Sequence, residues 1–486
     1  MASYLPLFAT ALPLITAPII YFMDKFSKRV RNLTVIGITL LTLLLVVLMF
    51  PVIEMGNLIK VKINFLLPLG LVFRVDELGL FLALITSFVW FLISIYSSYY
   101  MSNDKYLNRY YIAFLLTLSG CLGVALTGGL LSLYFFFEIA SLIPYILIIH
   151  NESKEAVKAS AKYLYMCLFG SLALFFAISL TFYLLGTVDL NEIKQLSREG
   201  KVLPLSVFLG FFIGFGIKGG LFPLHVWLPD AHPVAPSPIS SLLSGITVKV
   251  GMYGIIRLVY SMYGFEIFNG LGWGLFLRII AVITILLGSS VAVKETNLKR
   301  MLAYSSISNM GYILLGIALL TERALIGAVF HIFSHAFMKG SLFLCAGAIK
   351  HKTGKTMIKQ MNGIGYEMPI TMFCFTIAAL GMIGIPPLNG FISKWYLGLG
   401  SLDAQKPIYL IVLIISSLLN GVYFLPIIIN AFFNETYKTN YRFRLNEISL
   451  SMLIPIIILT SGIVLGGMYE HTLLKLAKNA VKMLLG

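Results

Sequence analysis

Glu138 lies in the middle of the apolar segment LLSLYFFFEIASLIPYILII, in which no other charged residue occurs between Leu130 and Ile149. The segment is long enough to cross a bilayer as a helix. An ionised carboxylate at the centre of a bilayer costs roughly 3 kcal/mol on insertion scales. Such a group persists when it is neutralised, paired or in contact with water, and it therefore indicates a functional site.

Two lysines in apolar segments lie next to prolines. Lys218 precedes two glycines and Pro223, and Lys394 follows the Pro386–Pro387 pair. Proline removes an intrahelical hydrogen bond, so both segments are expected to break. A broken helix at membrane depth is tolerated where it is buried in protein or lines a wet cavity. A lysine at such a break indicates a proton or ion relay; the alternative is a lysine that caps freed carbonyls.

A second group of titratable residues lies in unbroken apolar segments. Lys249 is surrounded by small residues, and it is either a relay or a structural partner of a carbonyl. His331, His335 and Lys339 are spaced by four and share one helical stripe. Histidine titrates near physiological pH, which suits proton transfer. Their segment contains no carboxylate that would complete a metal site, so we predict neither a metal nor a cofactor.

His225, Asp230 and His232 flank the seventh apolar segment, around the stretch LPDAHPVAPSP. Two interpretations of these residues are open. They take up protons from the cytoplasm, or they cap and hydrogen-bond a tight loop.

Composition places the chain among polytopic membrane proteins. Of the 486 residues, 59% are hydrophobic and 12% are charged, against about 25% charged in soluble domains. The excess of 36 Lys and Arg over 20 Asp and Glu is typical of cytoplasmic loops and anionic lipid contacts, not of nucleic-acid binding. The four cysteines occur singly in apolar segments and are expected to be buried thiols: Cys121, Cys167, Cys345 and Cys374.

We predict an all-α fold of about fourteen transmembrane helices. The N-terminal apolar stretch is expected to be the first helix, and the polar segment 54–76 a small surface hairpin. The predicted spans are 3–23, 31–53, 77–101, 109–127, 129–149, 158–186, 203–227, 237–262, 271–292, 298–320, 323–349, 367–398, 407–432 and 446–469.

Short matches indicate an internal repeat. They recur in order at a nearly constant offset, from PYIL at 144–147 and GYIL at 311–314 to GMY at 251–253 and GVY at 421–423. Each copy would contain five helices, with the break in its fourth member, the seventh and the twelfth helix. An odd number of spans inverts the second copy, as in many transporters. The predicted divisions are 1–108 (helices 1–3 and hairpin), 109–262 (first repeat), 271–432 (second repeat) and 433–486 (helix 14).

Basic residues predict the orientation in the membrane. The loops on one side contain more Lys and Arg and should face the cytoplasm, which places both termini outside. Arg257 and Arg278 lie near helix ends and are expected to extend to the lipid head groups. The basic side includes Lys25, Lys28, Arg29, Lys154, Lys158, Lys162, Lys299, Arg300, Lys350, Lys352, Lys438, Arg442 and Arg444.

Five motifs together resemble the antiporter-like membrane subunits of respiratory complex I, of Mrp-type cation/proton antiporters and of membrane-bound hydrogenases. The likeness covers about residues 100–430. The motifs are FFFEIASLIPYILI, GIKGGLFPLHVWLPDAHPVAPSPISSLLSG, NLKRMLAYSSISNMGY, HIFSHAFMKGSLFL and GIPPLNGFISKW.

The resemblance implies a hydrated axis of titratable residues. In that family the glutamate of the fifth helix, here Glu138, pairs with the lysine of the broken seventh helix, here Lys218. The eighth, eleventh and twelfth helices continue the axis, which corresponds to Lys249, to His331 with His335, and to Lys394. A lysine on the twelfth helix is similar to the D-type subunit of Mrp antiporters and to the hydrogenase-type homologues.

The resemblance also implies the function: a proton-translocating subunit of a multisubunit complex in the cell membrane, with no bond chemistry and no cofactor of its own. Its expected partners are small hydrophobic subunits, homologous antiporter-like subunits, a hydrogenase or other redox arm, and lipids. One alternative is the D-type subunit of an Mrp antiporter, which would add Na⁺ to the transported ions. Another is a membrane scaffold whose charges only hold helices together.

Overall fold

The computed structural model describes residues 2–23, 27–64, 70–433 and 447–485. Within these ranges, 12 helices are long and apolar enough to cross a membrane, and two shorter apolar helices bring the set to the predicted fourteen. They are α1 Leu5–Met23, α2 Lys28–Glu54, α3 Glu77–Tyr100, α4 Leu107–Leu126, α5 Leu130–Ile148, α6 Lys154–Leu185, α7 Leu205–Gly219, α8 Ser237–Tyr263, α9 Gly274–Lys294, α10 Leu298–Ala318, α11 Glu322–Thr353, α12 Pro369–Ile383, α13 Ile408–Phe432 and α14 Leu450–Met468.

Helices α7 and α12 are both interrupted, as their prolines predict. Helix α7 ends at Gly220, which has φ +67°, and the chain becomes helical again at Leu228–Val234. The predicted span 203–227 is therefore too long at its C-terminal end, because the chain around Pro223 turns instead of continuing the helix. Helix α12 ends at Gly384, with φ +95°, and a second helix follows at Asn389–Asp403.

Helices α6 and α11 are matching elements of the two predicted repeats. Each is 32 residues long, and each is the third helix of its repeat. The N-terminal turns are capped by the Ser153 and Thr321 side chains. Both helices end at a glycine with positive φ, Gly186 and Gly354, the conformation that glycine adopts without steric cost. The two helices thus use the same start and stop signals.

Helices α8 and α11 form the centre of the bundle, because the apolar windows of both are buried over their whole length. Helix α8 contains π-helical stretches at Leu243–Thr247 and Arg257–Tyr263, separated by the α-helical segment Val248–Ile256. Such widened turns occur frequently at functional sites. The central helices therefore carry both buried charge and irregular backbone.

The segment 54–76 forms the predicted hairpin. Strands β1 Ile59–Ile63 and β2 Leu71–Val75 pair antiparallel, with Ile59 opposite Val75, and residues 65–69 of the predicted segment lie outside the described residues. Phe73 bridges to Thr127 after α4. The remaining short helices are Ala2–Tyr4, Leu190–Arg198, Phe265–Gly270, Ile358–Met361 and Ile364–Glu367.

A last helix, α15 Glu470–Leu485, follows α14. Its Lys475 Nζ lies 3.2 Å from Glu54 Oε1, and the Leu484 carbonyl accepts a hydrogen bond of 3.4 Å from Lys194. Helix α15 therefore shares one face of the molecule with the hairpin, the loop after α4 and helix Leu190–Arg198. We call this the hairpin face.

The four cysteines are buried free thiols, as predicted. Of the residues used for the orientation, Lys25, Lys438, Arg442 and Arg444 lie outside the described ranges. Arg278 donates a hydrogen bond to the Ala318 carbonyl, at the C-terminal end of α10. The expectation that Arg257 reaches the head groups is wrong: it is 5% exposed and paired with Asp76, because helix Leu190–Arg198 and α15 pack over the end of α8.

The break in α12 depends on a close approach of two glycines. A Cβ at Gly390 would lie 2.0 Å from the Gly381 carbonyl oxygen. We expect Gly390→Ala to lower the free energy of unfolding by about 1–3 kcal/mol because the two halves of α12 must move apart. Thermal unfolding of the purified protein measures this. Gly421→Ala is the control, since its Cβ would meet nothing closer than 3.8 Å; equal shifts would contradict the prediction.

Candidate functional site

Lys218 occupies the last turn of α7 and is 1% exposed. Its ammonium donates to the Ala140 carbonyl at 2.7 Å and to the Tyr163 hydroxyl at 3.0 Å. The Ala140 carbonyl has no helical partner because the residue four positions on is Pro144, which lacks an N–H. The proline in α5 thus creates the acceptor that holds the lysine of α7.

Glu138 lies half-buried on α5, two residues before that acceptor. Its carboxylate is beside Tyr134 and Ser171, and among the described residues its Oε1 has no hydrogen-bond partner. No ion pair joins Glu138 to Lys218 in the described part of the chain, although the two charges interact electrostatically. The direct pair that the resemblance implies is therefore not formed in this structure.

Lys249 lies in the middle of α8 and is 0% exposed. Its Nζ is 2.6 Å from His335 Nδ1 and also contacts the Ser244 carbonyl, within the π-helical stretch. An ammonium has only donors, so His335 Nδ1 must be the acceptor and the imidazole carries its hydrogen on Nε2. A doubly protonated imidazole cannot accept this bond, so an ammonium at Lys249 requires a neutral His335.

His331 continues the row along α11, with its ring centroid 5.8 Å from that of His335. Its Nε2 is 3.0 Å from Asn309 Oδ1, and its Nδ1 is 2.8 Å from the Ser393 hydroxyl. Ser393 also lies 2.9 Å from the Gly390 carbonyl. The hydroxyl has one hydrogen for these two acceptors, so its rotation can follow the charge on His331.

Lys394 lies just after the break in α12. Its ammonium donates to the Met382 and Ile383 carbonyls at 2.8 and 2.9 Å, and to the Ser417 hydroxyl at 2.9 Å. Both carbonyls lack a helical partner because the residues four positions on are the Pro386–Pro387 pair. The arrangement repeats that of Lys218: a proline frees a carbonyl, and a buried lysine binds it.

Lys339 of α11 and Lys299 of α10 are two further buried lysines. Lys339 donates to the Leu302 carbonyl at 2.9 Å and to the Ser305 hydroxyl. Lys299 donates to the Ala235 carbonyl at 2.8 Å and is 7% exposed, so its expected place in a basic loop is wrong. The sequence contained a signal for this inward position. If the helix begins at Leu298, Lys299 lies on the same helical face as Leu302 and Ser306.

The three residues around the seventh segment do not form one cluster. Asp230 pairs at the surface with Lys162 at 2.8 Å and with Arg300 at 3.5 Å. His232 is fully buried, stacks on Phe343, and has no partner for either ring nitrogen among the described residues. Its nearest charges are Lys299 and Lys339. Asp230 therefore pairs with surface cations beside the loop, whereas His232 lies in the interior near the buried Lys299 and Lys339.

His225 is nearly buried, and its ring stacks on Phe222 at 5.9 Å between centroids. Its Nδ1 has no hydrogen-bond partner in the described part of the chain. No cluster of three or more His, Cys, Asp or Glu residues that could hold a metal ion occurs in the described ranges. The lysines, histidines and hydroxyl groups of this interior are side chains that can exchange protons.

Sequence comparisons identify relatives of the whole chain. Residues 127–420 match the family described as NADH:quinone oxidoreductase/Mrp antiporter, TM, and residues 64–111 match the complex I chain 5 N-terminus. NADH-quinone oxidoreductase subunit N of Desulforudis audaxviator is 35% identical over 84% of each chain. The D-type Na(+)/H(+) antiporter subunit of Alkalihalophilus pseudofirmus is 30% identical over 92% of this chain and 90% of its own length.

Solved structures have the same fold. A chain of the membrane-bound sulfane sulfur reductase, an archaeal respiratory membrane complex, superposes with a TM-score of 0.90 at 27% identity, covering 99% of this chain and 97% of its own. A chain of the Mrp complex from Dietzia superposes with a TM-score of 0.86 at 23% identity, covering 100% of this chain and 99% of its own. The chain belongs to the family of NADH:quinone oxidoreductase and Mrp antiporter membrane subunits.

Proposed function

We propose that this chain is a proton-translocating, antiporter-like subunit of a multisubunit complex in the cell membrane. The observation that carries the proposal is the 2.6 Å contact between Lys249 and His335, which joins the lysine of one predicted repeat to the histidine row of the other. The proposed pathway runs through Glu138, Lys218, Lys249, His335, His331 and Lys394. Lys339 lies beside it. We assign proton uptake from the cytoplasm to the end of the pathway at His232, His225 and Lys299.

Charge separation near Lys218 would drive the transfer. An ionised Glu138 favours the ammonium form of Lys218, and moving or neutralising the glutamate favours release of the proton. A tenfold change in proton affinity is about 1.4 kcal/mol, which is comparable with about 2.3 kcal/mol per charge per 100 mV of membrane potential. A modest change in the distance between Glu138 and Lys218 is therefore sufficient to drive proton release from the lysine. Steps between groups that do not touch require intervening water.

The position of Glu138 supports a neighbouring subunit. Glu138 is half-buried and lies beside Ser171, while Phe135 on its own helix and Leu172, the residue after Ser171, are 39% and 68% exposed. A carboxylate at this depth is unstable against lipid, so another protein chain should cover this face. The proposed partners are small hydrophobic subunits, homologous antiporter-like subunits and a redox arm, with lipid around the remainder.

The D-type subunit of an Mrp antiporter is the second candidate, supported by the 30% identity to the Na(+)/H(+) antiporter subunit of that type. In that case opposing Na⁺ movement, not a redox reaction, would drive the protons. Proton flux that depends on a sodium gradient across vesicles containing the purified complex would favour this candidate.

The paired architecture supports two inverted repeats at 109–262 and 271–432. Helices α6 and α11 match in length and in capping. Lys218 and Lys394 lie on the two interrupted helices, and each binds a carbonyl that a proline has freed, in α5 and at the break of α12, respectively. An even number of crossings, together with the basic loops, favours both termini outside the cell. Labelling of cysteines introduced near residue 3 and near residue 480 would test this orientation.

Lys394→Arg tests the function against the scaffold alternative. Arginine still donates to the carbonyls freed at the break, but it does not release a proton near neutral pH. We expect unchanged yield of the complex and at least a tenfold loss of proton flux, in the range of general acid–base effects. Lys352→Arg, at the exposed end of α11, is the control. Wild-type flux in the Lys394→Arg complex would support the scaffold and contradict the proposal.

A further inference from the structure

A buried ion pair lies where α8 approaches the hairpin face. Arg257 Nη2 is 2.6 Å from Asp76 Oδ1, and both side chains are almost fully buried. Arg257 also donates to the Tyr253 hydroxyl at 2.8 and 2.9 Å, and that hydroxyl donates to the Ala125 carbonyl at 3.0 Å. Asp76 accepts the Gly79 N–H at the start of α3. Helices α3, α4 and α8 therefore meet at one guanidinium.

This guanidinium terminates a polar stripe that starts at the proposed pathway. Lys249, Tyr253 and Arg257 follow one another at a spacing of four along α8, which keeps them on one side of the helix. Beyond Arg257 lies a cavity of about 130 Å³ on the hairpin face, lined also by Arg74 and Lys194. The stripe thus leads from the buried middle of α8 toward one surface, and an arginine lies at its outer end.

A fixed cation in a narrow polar route excludes protons and other cations. Arginine does not lose its proton in proteins, and Arg74 and Lys194 add positive charge against the single carboxylate of Asp76. Stability alone does not account for the pair, since buried ion pairs are often no more stabilising than apolar residues of equal size. A barrier function does account for it.

We propose that the Asp76–Arg257 pair seals the hairpin-face end of this stripe against protons. A proton at Lys249 then passes to His335 and does not escape along α8, so that transport remains coupled. The inference rests on the proposed function, because it assigns Lys249 a mobile proton. It assigns Arg257 a positioning and barrier role, with no part in carrying protons.

The test measures passive leak. Vesicles containing the purified complex receive a pH gradient without any driving reaction, and decay of the gradient is followed with a pH-sensitive dye. The double variant Asp76→Asn with Arg257→Gln keeps a hydrogen-bonding pair of similar size but removes both charges. We expect its gradient to decay at least tenfold faster than that of the unaltered complex. Arg278→Gln, at another helix end, is the control and should remain tight.

The leak must also pass through Lys249. Adding Lys249→Met to the double variant should restore a tight vesicle. A leak that persists in this triple variant would reflect general damage and would overturn the proposal, as would a double variant as tight as the unaltered complex. If the double variant does not assemble, Arg257→Gln alone is measured with the same two outcomes. Driven proton flux that is unchanged by His335→Gln would refute the proposed function. If His335→Gln reduces driven flux but the double variant does not leak, only the proposed seal is refuted.

Discussion

Changing His335 to Gln is expected to reduce driven proton flux through the assembled complex by about 10²-fold. Glutamine can still accept the hydrogen bond that Lys249 makes over 2.6 Å, but it does not take up a proton. The packing of α8 against α11 should therefore persist while transfer between the two predicted repeats stops. Flux and yield are measured on the same preparation.

His351 on the same helix provides the matched control. It lies exposed near the C-terminal end of α11, where its ring packs at a tilt against Tyr99 and Tyr100, with centroids 5.8 and 5.6 Å away. His351→Gln should leave both flux and yield at the wild-type level. If His335→Gln and His351→Gln transport equally well, protons do not cross between the repeats at Lys249.

Lys218→Arg is expected to reduce driven flux by a similar factor of about 10². The arginine keeps a permanent charge near the Ala140 carbonyl and Tyr163, so the structural contacts of the lysine are retained in kind while proton release is lost. Glu138→Gln should have a smaller effect in the same direction, because it removes the charge that stabilises the ammonium but leaves the lysine able to titrate. Initial rates of vesicle acidification measure both.

Lys158→Arg, on the exposed N-terminal part of α6, is the control for the lysine change. Reduced yield of the Lys218→Arg complex with normal flux per complex would indicate a purely structural lysine. Glu138→Gln as damaging as Lys218→Arg would mean that the glutamate itself carries the proton and does not merely act on the lysine through charge.

The two broken helices explain why structure and proton transfer are difficult to separate here. Beside the lysine of each broken helix, a proline has removed the N–H partner of a carbonyl, and the ammonium takes its place: Ala140, freed by Pro144 of α5, for Lys218, and Met382 and Ile383, at the break of α12, for Lys394. An unpaired buried carbonyl is unfavourable, so replacing either lysine with a residue that has no N–H donor would disturb the helices as well as remove a titratable group.

The sequence was sufficient for the family, for the fourteen helices and for the titratable residues at membrane depth. Apolar windows of helical length, proline pairs and charges isolated among Leu, Phe and Ile are local signals, and each can be read without knowing what packs against it. The hairpin at 54–76 and the interruptions after Gly219 and Ile383 could be predicted for the same reason, since each has a local signal in the sequence.

Only the tertiary structure decided which of these groups touch. Lys249 meets His335 across 86 positions of sequence, Lys299 turns inward, Arg257 is buried beneath α15, and Glu138 stands apart from Lys218. The physical reason is that α8 and α11 are apolar and buried on all sides. A helix that is buried all round has no solvent-facing side that orients it, and so the neighbour that each buried charge meets is determined by helix packing.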